Sequence, residues 1–124
     1  MRGASALLLL ITLPICACAP KAEEASSPLG LDCALPFEAQ AAKLTTQPHL
    51  IAAPQDYAEP YKFYSSEDNR TSYLITKPGA PGHPAIMMQQ AGGGTVKTTG
   101  CPYGDRKGYD QLLAYLESLK TWHR

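Results

Sequence analysis

The feature that most limits what this chain can fold into is the apolar run at residues 6–13, because it takes the N-terminus out of the fold. Arg2 is the only charge before Lys21, and Pro14 closes the run. A stable bilayer-spanning helix needs about 20 apolar residues, so a run this short, ended by proline, predicts no permanent transmembrane helix. A positive start, a short apolar centre and a following cluster of small residues are the layout of a secretory signal. The folded part must be built from what lies beyond it.

Two cleavage points compete. Ala17-Cys18-Ala19 has the small-x-small form, but Pro20 would then follow the scissile bond. Proline there lacks an N–H and restricts the residue before it. The other is Ile15-Cys16-Ala17-Cys18, directly after the apolar run. These four residues resemble the lipobox of bacterial lipoproteins: a branched apolar residue, a tolerated one, a small one, then the modified cysteine. Making Cys16 the modified residue would place the large Ile15 at the scissile position. The resemblance implies a lipid on the Cys18 thiol, cleavage before Cys18 and acylation of the new amine. One acyl chain holds a protein only marginally, at about 0.8 kcal/mol per buried CH₂; the lipoprotein pattern implies two or three. Ala19, in place of an aspartate, implies the outer membrane with the domain facing the periplasm; inner-membrane anchoring or secretion without lipid are the alternatives.

On this reading the chain divides into a signal peptide (1–17), a lipidated flexible tether (18–30) and a single α+β domain (31–124). Residues 19–30 hold almost nothing apolar, and a flexible coil of that length spans on the order of 20 Å. Loss of Arg2 leaves ten Lys and Arg against eleven Asp and Glu. No basic surplus points to nucleic acid, and no basic block points to anionic lipid. Membrane attachment must come from the lipid, and the expected partner is an envelope protein.

With Cys16 removed and Cys18 lipidated, Cys33 and Cys101 remain, an even pair in an oxidising compartment. We expect them to form a disulfide. They lack the C-x-x-C spacing of a redox site.

In the domain, Pro36 suits a first helical position, and Phe37, Ala41 and Leu44 fall on one face of a short helix. Prolines at 48, 54 and 60 argue against a long element between them, so Leu50-Ile51 enters the core from a loop or short strand. Residues 61–66 and 71–77 read as a hairpin about the polar turn Glu67-Asp68-Asn69-Arg70. A Pro/Gly loop spans 77–84. Residues 85–91 form a third strand, Gly92-Gly93-Gly94 a mobile break, and Thr95-Val96-Lys97 a short fourth strand, with an ordered turn over 98–104. Asp105 caps a helix over 106–120 whose stripe is Tyr109, Leu112, Leu113, Leu116 and Leu119. Gly108 in its first turn costs up to about 1 kcal/mol relative to alanine. The expected fold is a three- to four-stranded antiparallel sheet with this helix on one face and a short N-terminal helix.

Motifs for chemistry are sparse. His49, His83 and His123 lack the spacing of a zinc site, so no metal or cofactor is expected. Ser65 and Ser66 lack a nucleophile surround, and Glu67 and Asp68 sit in an ordinary polar turn. The glycine run lacks the lysine of a phosphate loop. Seven tyrosines against two phenylalanines suggest tyrosines rimming a small core or an interaction face, tyrosine being enriched at interfaces. Tyr64 and Tyr73 are the candidates for a partner face. The sequence therefore reads as a non-enzymatic interaction or structural module. A small enzyme or ligand-binding domain, with His83, Asp68 or Arg70 converging near residues 77–84, is the alternative.

Overall fold

The computed structural model describes residues 11–12 and 27–119. Most of the proposed signal, Cys18 and most of the tether lie outside these residues, as do His123 and the last residue expected in the C-terminal helix. The chain runs α1 (Phe37–Thr45), β1 (Leu50–Ala52), β2 (Tyr61–Ser66), β3 (Thr71–Thr76), β4 (Ala85–Gly92), β5 (Thr95–Pro102), α2 (Arg106–Leu119). The strands form one antiparallel sheet in sequence order.

A helix lies on each face. On one, Leu74, Ala85 and Met87 pack against Tyr109, Leu112 and Leu116 of α2. On the other, Tyr73, Ile75, Ile86 and Met88 pack against Leu44 of α1, with Phe37, Ala41 and Tyr64 around them. Central strands covered on both faces should be apolar along their length. Accordingly, Tyr73-Leu74-Ile75 and Ile86-Met87-Met88 are buried without alternation. The α2 stripe forms as the spacing predicts. Asp105 caps it, its Oδ2 accepting the Gly108 N–H at 2.7 Å.

The sheet has five strands, where three or four were expected. The added strand is β1, whose Leu50, Ile51 and Ala52 pair with Ser66, Ser65 and Tyr64. β5 is also far longer than expected: it pairs with β4 from Thr95 to Pro102, taking in the residues expected to form a turn. The glycine run is an ordered hairpin connection. Gly93 and Gly94 have φ of 59° and 81°, the positive values that a two-residue turn matched to sheet twist requires. Gly92 is still in the ladder, opposite Thr95.

α1 begins one residue later than expected, with Pro36 at its N-cap. Gln40, unremarked in the sequence, is fully buried, and its Nε2 donates to the Asp32 carbonyl. The ordered region reaches back into the expected tether. The Leu29 N–H donates to Gln47 Oε1 at 2.9 Å, and the Leu29 carbonyl accepts the Tyr73 hydroxyl at 2.6 Å.

Cys33 and Cys101 form a disulfide with Cα atoms 5.3 Å apart. It joins the segment before α1 to β5.

Residues 77–84 fold onto the start of α2. A Cβ on Gly108 would overlap the Gly82 nitrogen, and one on Gly82 would overlap the Tyr109 nitrogen. The two backbones touch because neither residue has a side chain. The helix-propensity cost at Gly108 is therefore the cost of a contact. Gly108→Ala should destabilise the domain by about 2 kcal/mol, in the range of overpacking, although alanine is the better helix former by up to about 1 kcal/mol. Urea unfolding compared with Lys107→Ala, at an exposed neighbour, checks this. A Gly108→Ala protein as stable as the parent would refute the contact.

Candidate functional site

The residues singled out in the sequence do not converge. His83 lies beside the last residue of β3, its Nδ1 2.7 Å from Thr76 Oγ1 and its ring edge-on to Phe37. Thr76 Oγ1 also accepts the Ala85 N–H at 2.9 Å and donates to the Ala85 carbonyl at 3.1 Å. Asp68 and Arg70 lie in the turn at the other end of β3. At about 3.4 Å per residue, the strand separates them from His83 by roughly 17 Å. Residues 77–84 are closed onto α2, and the groups named for an alternative site there are not brought together.

Asp68 is engaged within its own turn. Its Oδ1 accepts the Ser66 hydroxyl at 2.7 Å and the Arg70 N–H at 3.0 Å. The Arg70 N–H, and then the Ser66 hydroxyl, hold its carboxyl below the usual range. Ser66 is buried, and its Oγ accepts the Thr71 N–H at 3.1 Å. His49 pairs with Glu67 at 3.7 Å with both side chains exposed, a geometry that contributes little. Among the described residues no three His, Cys, Asp or Glu side chains group as metal ligands, and no helix is long and apolar enough to cross a membrane.

Of the two tyrosines proposed for a partner face, Tyr73 lies inside the domain and Tyr64 is half-buried. Tyr73 is 1% exposed. Burial pushes its hydroxyl above the ordinary tyrosine value, partly offset by the hydrogen bond from Gln47. It belongs to the core beneath α1. Tyr64 packs at the edge of the same cluster. Leu44 of α1 packs on this face, and Tyr64 keeps part of its surface open. The exposed apolar groups are elsewhere: Tyr57 is 91% exposed and Ile51 50%.

One concavity was not visible in the sequence. It is a cleft of about 360 Å³ between the C-terminal half of α2 and the β2–β3 turn end of the sheet. Strand register builds it. Phe63, Leu74 and Met87 align across three strands, and the next row on that face is Ser65, Ser72, Gln89 and Thr98. Leu74, Met87 and Leu116 are buried and form its floor. Phe63 and Leu119 are half-buried walls, Ser72 and Gln89 supply a polar side, and Asn69 and Arg70 stand at the mouth. Gln89 Nε2 donates to Thr98 Oγ1 at 3.2 Å, across β4 and β5. The site thus joins an apolar floor to neutral hydrogen-bonding groups and one guanidinium. The sequence signal for it was the change from Met87-Met88 to Gln89-Gln90 along β4, where the strand passes out from under α2. Compared with known protein families, curated proteins and solved structures, the chain matches none.

Proposed function

We propose that this chain is exported, cleaved before Cys18 and held by lipid on the periplasmic side of the outer membrane. There its domain acts by binding, as a non-enzymatic interaction or structural module of the envelope. One observation supports this above the others. The domain's own two cysteines are joined to each other, so in a chain cleaved before residue 18 the only cysteine left for another task is Cys18. It stands where Ile15-Cys16-Ala17-Cys18 resembles the lipobox. The groups named for a chemical site are not brought together: His83 bonds Thr76 at the end of β3, and Asp68 bonds Ser66 and Arg70 in the turn before it. An envelope protein remains the proposed partner, and the exposed Ile51 and Tyr57 are surface on which such contact would fall.

Cells given labelled palmitate test the anchor. The parent chain should take up label and sediment with membranes. Cys18→Ser should lose at least nine-tenths of the label, while Cys33→Ala/Cys101→Ala keeps it. Label retained by Cys18→Ser, or absent from the parent, overturns the reading.

The ligand-binding alternative gains a specific observation in the cleft under α2, away from residues 77–84 where the sequence reading had set it.

A further inference from the structure

We propose that the cleft under α2 binds an amphipathic monocarboxylate, with its apolar tail against Leu74, Met87 and Leu116 and its carboxylate on Arg70. This does not rest on lipidation of Cys18.

Size and lining set the class of ligand. At about 360 Å³ the cleft lies at the small end of small-molecule sites, which are mostly apolar with a few placed polar groups. Its floor and walls, Phe63, Leu74, Met87, Leu116 and Leu119, present no polar side-chain group. A wholly polar ligand would strip its hydration for nothing on that side, whereas an alkyl or aryl tail gains by leaving water.

Charge sets the head group. No acidic side chain lines the cleft among the described residues. Arg70 stands at the mouth, and among these residues its side chain makes no ion pair. The nearest carboxylate in sequence, Asp68, feels the Arg70 charge, but its hydrogen bonds go to the Ser66 hydroxyl and the Arg70 backbone N–H and leave the guanidinium N–H groups open to a ligand. The same bonds fix the turn that carries the guanidinium, with Asn69 in the left-handed region at φ 61°. A guanidinium is a planar fork that matches a carboxylate with two parallel hydrogen bonds. A cation would be repelled there, and a neutral molecule would not form the charge-assisted pair. The polar side is neutral: one N–H of the Gln89 amide donates to Thr98, and its second N–H and the Ser72 hydroxyl can donate to a bound oxygen.

The methionines provide an internal control. Met87 faces the cleft, while its neighbour Met88 lies on the other face of the sheet beneath α1. The full chain, labelled with methyl-¹³C methionine and held in phosphatidylcholine nanodiscs, is titrated with 4-phenylbutyrate, whose ring shifts nearby methyl signals. The Met87 methyl should move saturably and the Met88 methyl should not. Arg70 is exposed, so Arg70→Gln should leave thermal unfolding unchanged while raising the midpoint about tenfold, equivalent to about 1.4 kcal/mol. The uncharged 4-phenyl-1-butanol should be weaker to a similar degree. A Met87 methyl that does not respond, equal movement of Met87 and Met88, or midpoints indifferent to Arg70→Gln and to the charge of the probe would each overturn the proposal.

Discussion

Replacing Leu116 by aspartate is expected to abolish cooperative unfolding of the domain at neutral pH. Leu116 is 2% exposed and sits among Leu74, Met87 and Leu112. Truncating such a leucine costs about 2–5 kcal/mol through lost transfer and an unfilled cavity. Burial of a carboxylate without a partner adds a further penalty of several kcal/mol. A domain of this size has a total stability of about 5–15 kcal/mol, so the sum reaches or exceeds what is available. The sign of the pH dependence follows. Burial raises the introduced group's pKa in the folded state, so its neutral form is favoured there. The folded state should be recovered in part as pH falls through that raised value, and lost again as pH rises. Circular dichroism melts at pH 7 and pH 4.5 check this, with Leu113→Asp as a half-buried comparison on the same helix. A Leu116→Asp protein that melts like the parent at pH 7 would mean that α2 does not pack on the sheet.

The second large effect is expected from the disulfide. Cys33→Ala/Cys101→Ala removes a covalent link between residues 68 apart. In the chain-entropy account a loop of that length is worth about 4 kcal/mol. At about 4–8 °C per kcal/mol for a domain of this size, the melting temperature should fall by roughly 15–30 °C. The link matters beyond its entropy because of what it joins. Cys101 is buried in β5, an edge strand held on one side by β4, while Cys33 leads into the segment before α1. Without the bond, the contact of α1 with its face rests on Leu44, Phe37 and Ala41, and on the hydrogen bond from the Tyr103 hydroxyl to the Leu35 carbonyl at 2.8 Å. Thermal melts of parent and double variant, with and without reductant, should show the reduced parent close to the variant. A variant within a few degrees of the oxidised parent would refute the role given to the bond.

The parts of the fold that could be read from the residues are those whose signal is local. The stripe from Tyr109 to Leu119 and the Asp105 cap need only the period of a helix and the free N–H groups of its first turn. The β2–β3 hairpin needs only the alternation of Tyr61 and Phe63 with Lys62, the apolar run after Thr71, and the turn at Glu67–Arg70. What was misread depends on distant partners. Residues 50–52 carry no strand pattern of their own, so the sequence leaves a loop and a short strand open; they become a strand because Tyr64, Ser65 and Ser66 offer a free edge. Residues 98–102 include Gly100 and Pro102, which read as a turn, yet β4 extends opposite them and pairs with each. Gly108 looked like a defect until Gly82 was found against it. Tyr73 looked like an interface residue because tyrosine is amphipathic; its hydroxyl is satisfied inside by Leu29 and Gln47. The cleft was hidden for the same reason. Its floor comes from β3, β4 and α2, and only strand register places Ser72 beside Gln89 and both beyond the reach of α2.

The anchor and the disulfide bear on one account of four cysteines, and intact mass measurement of the chain extracted from membranes without reductant tests it most directly. The account predicts a chain that begins at Cys18, carries the mass of a diacylglyceryl group and an amide-linked acyl chain, and is two hydrogens lighter than its reduced form. A chain that begins elsewhere, lacks the lipid mass, or carries Cys33 and Cys101 as free thiols would contradict it.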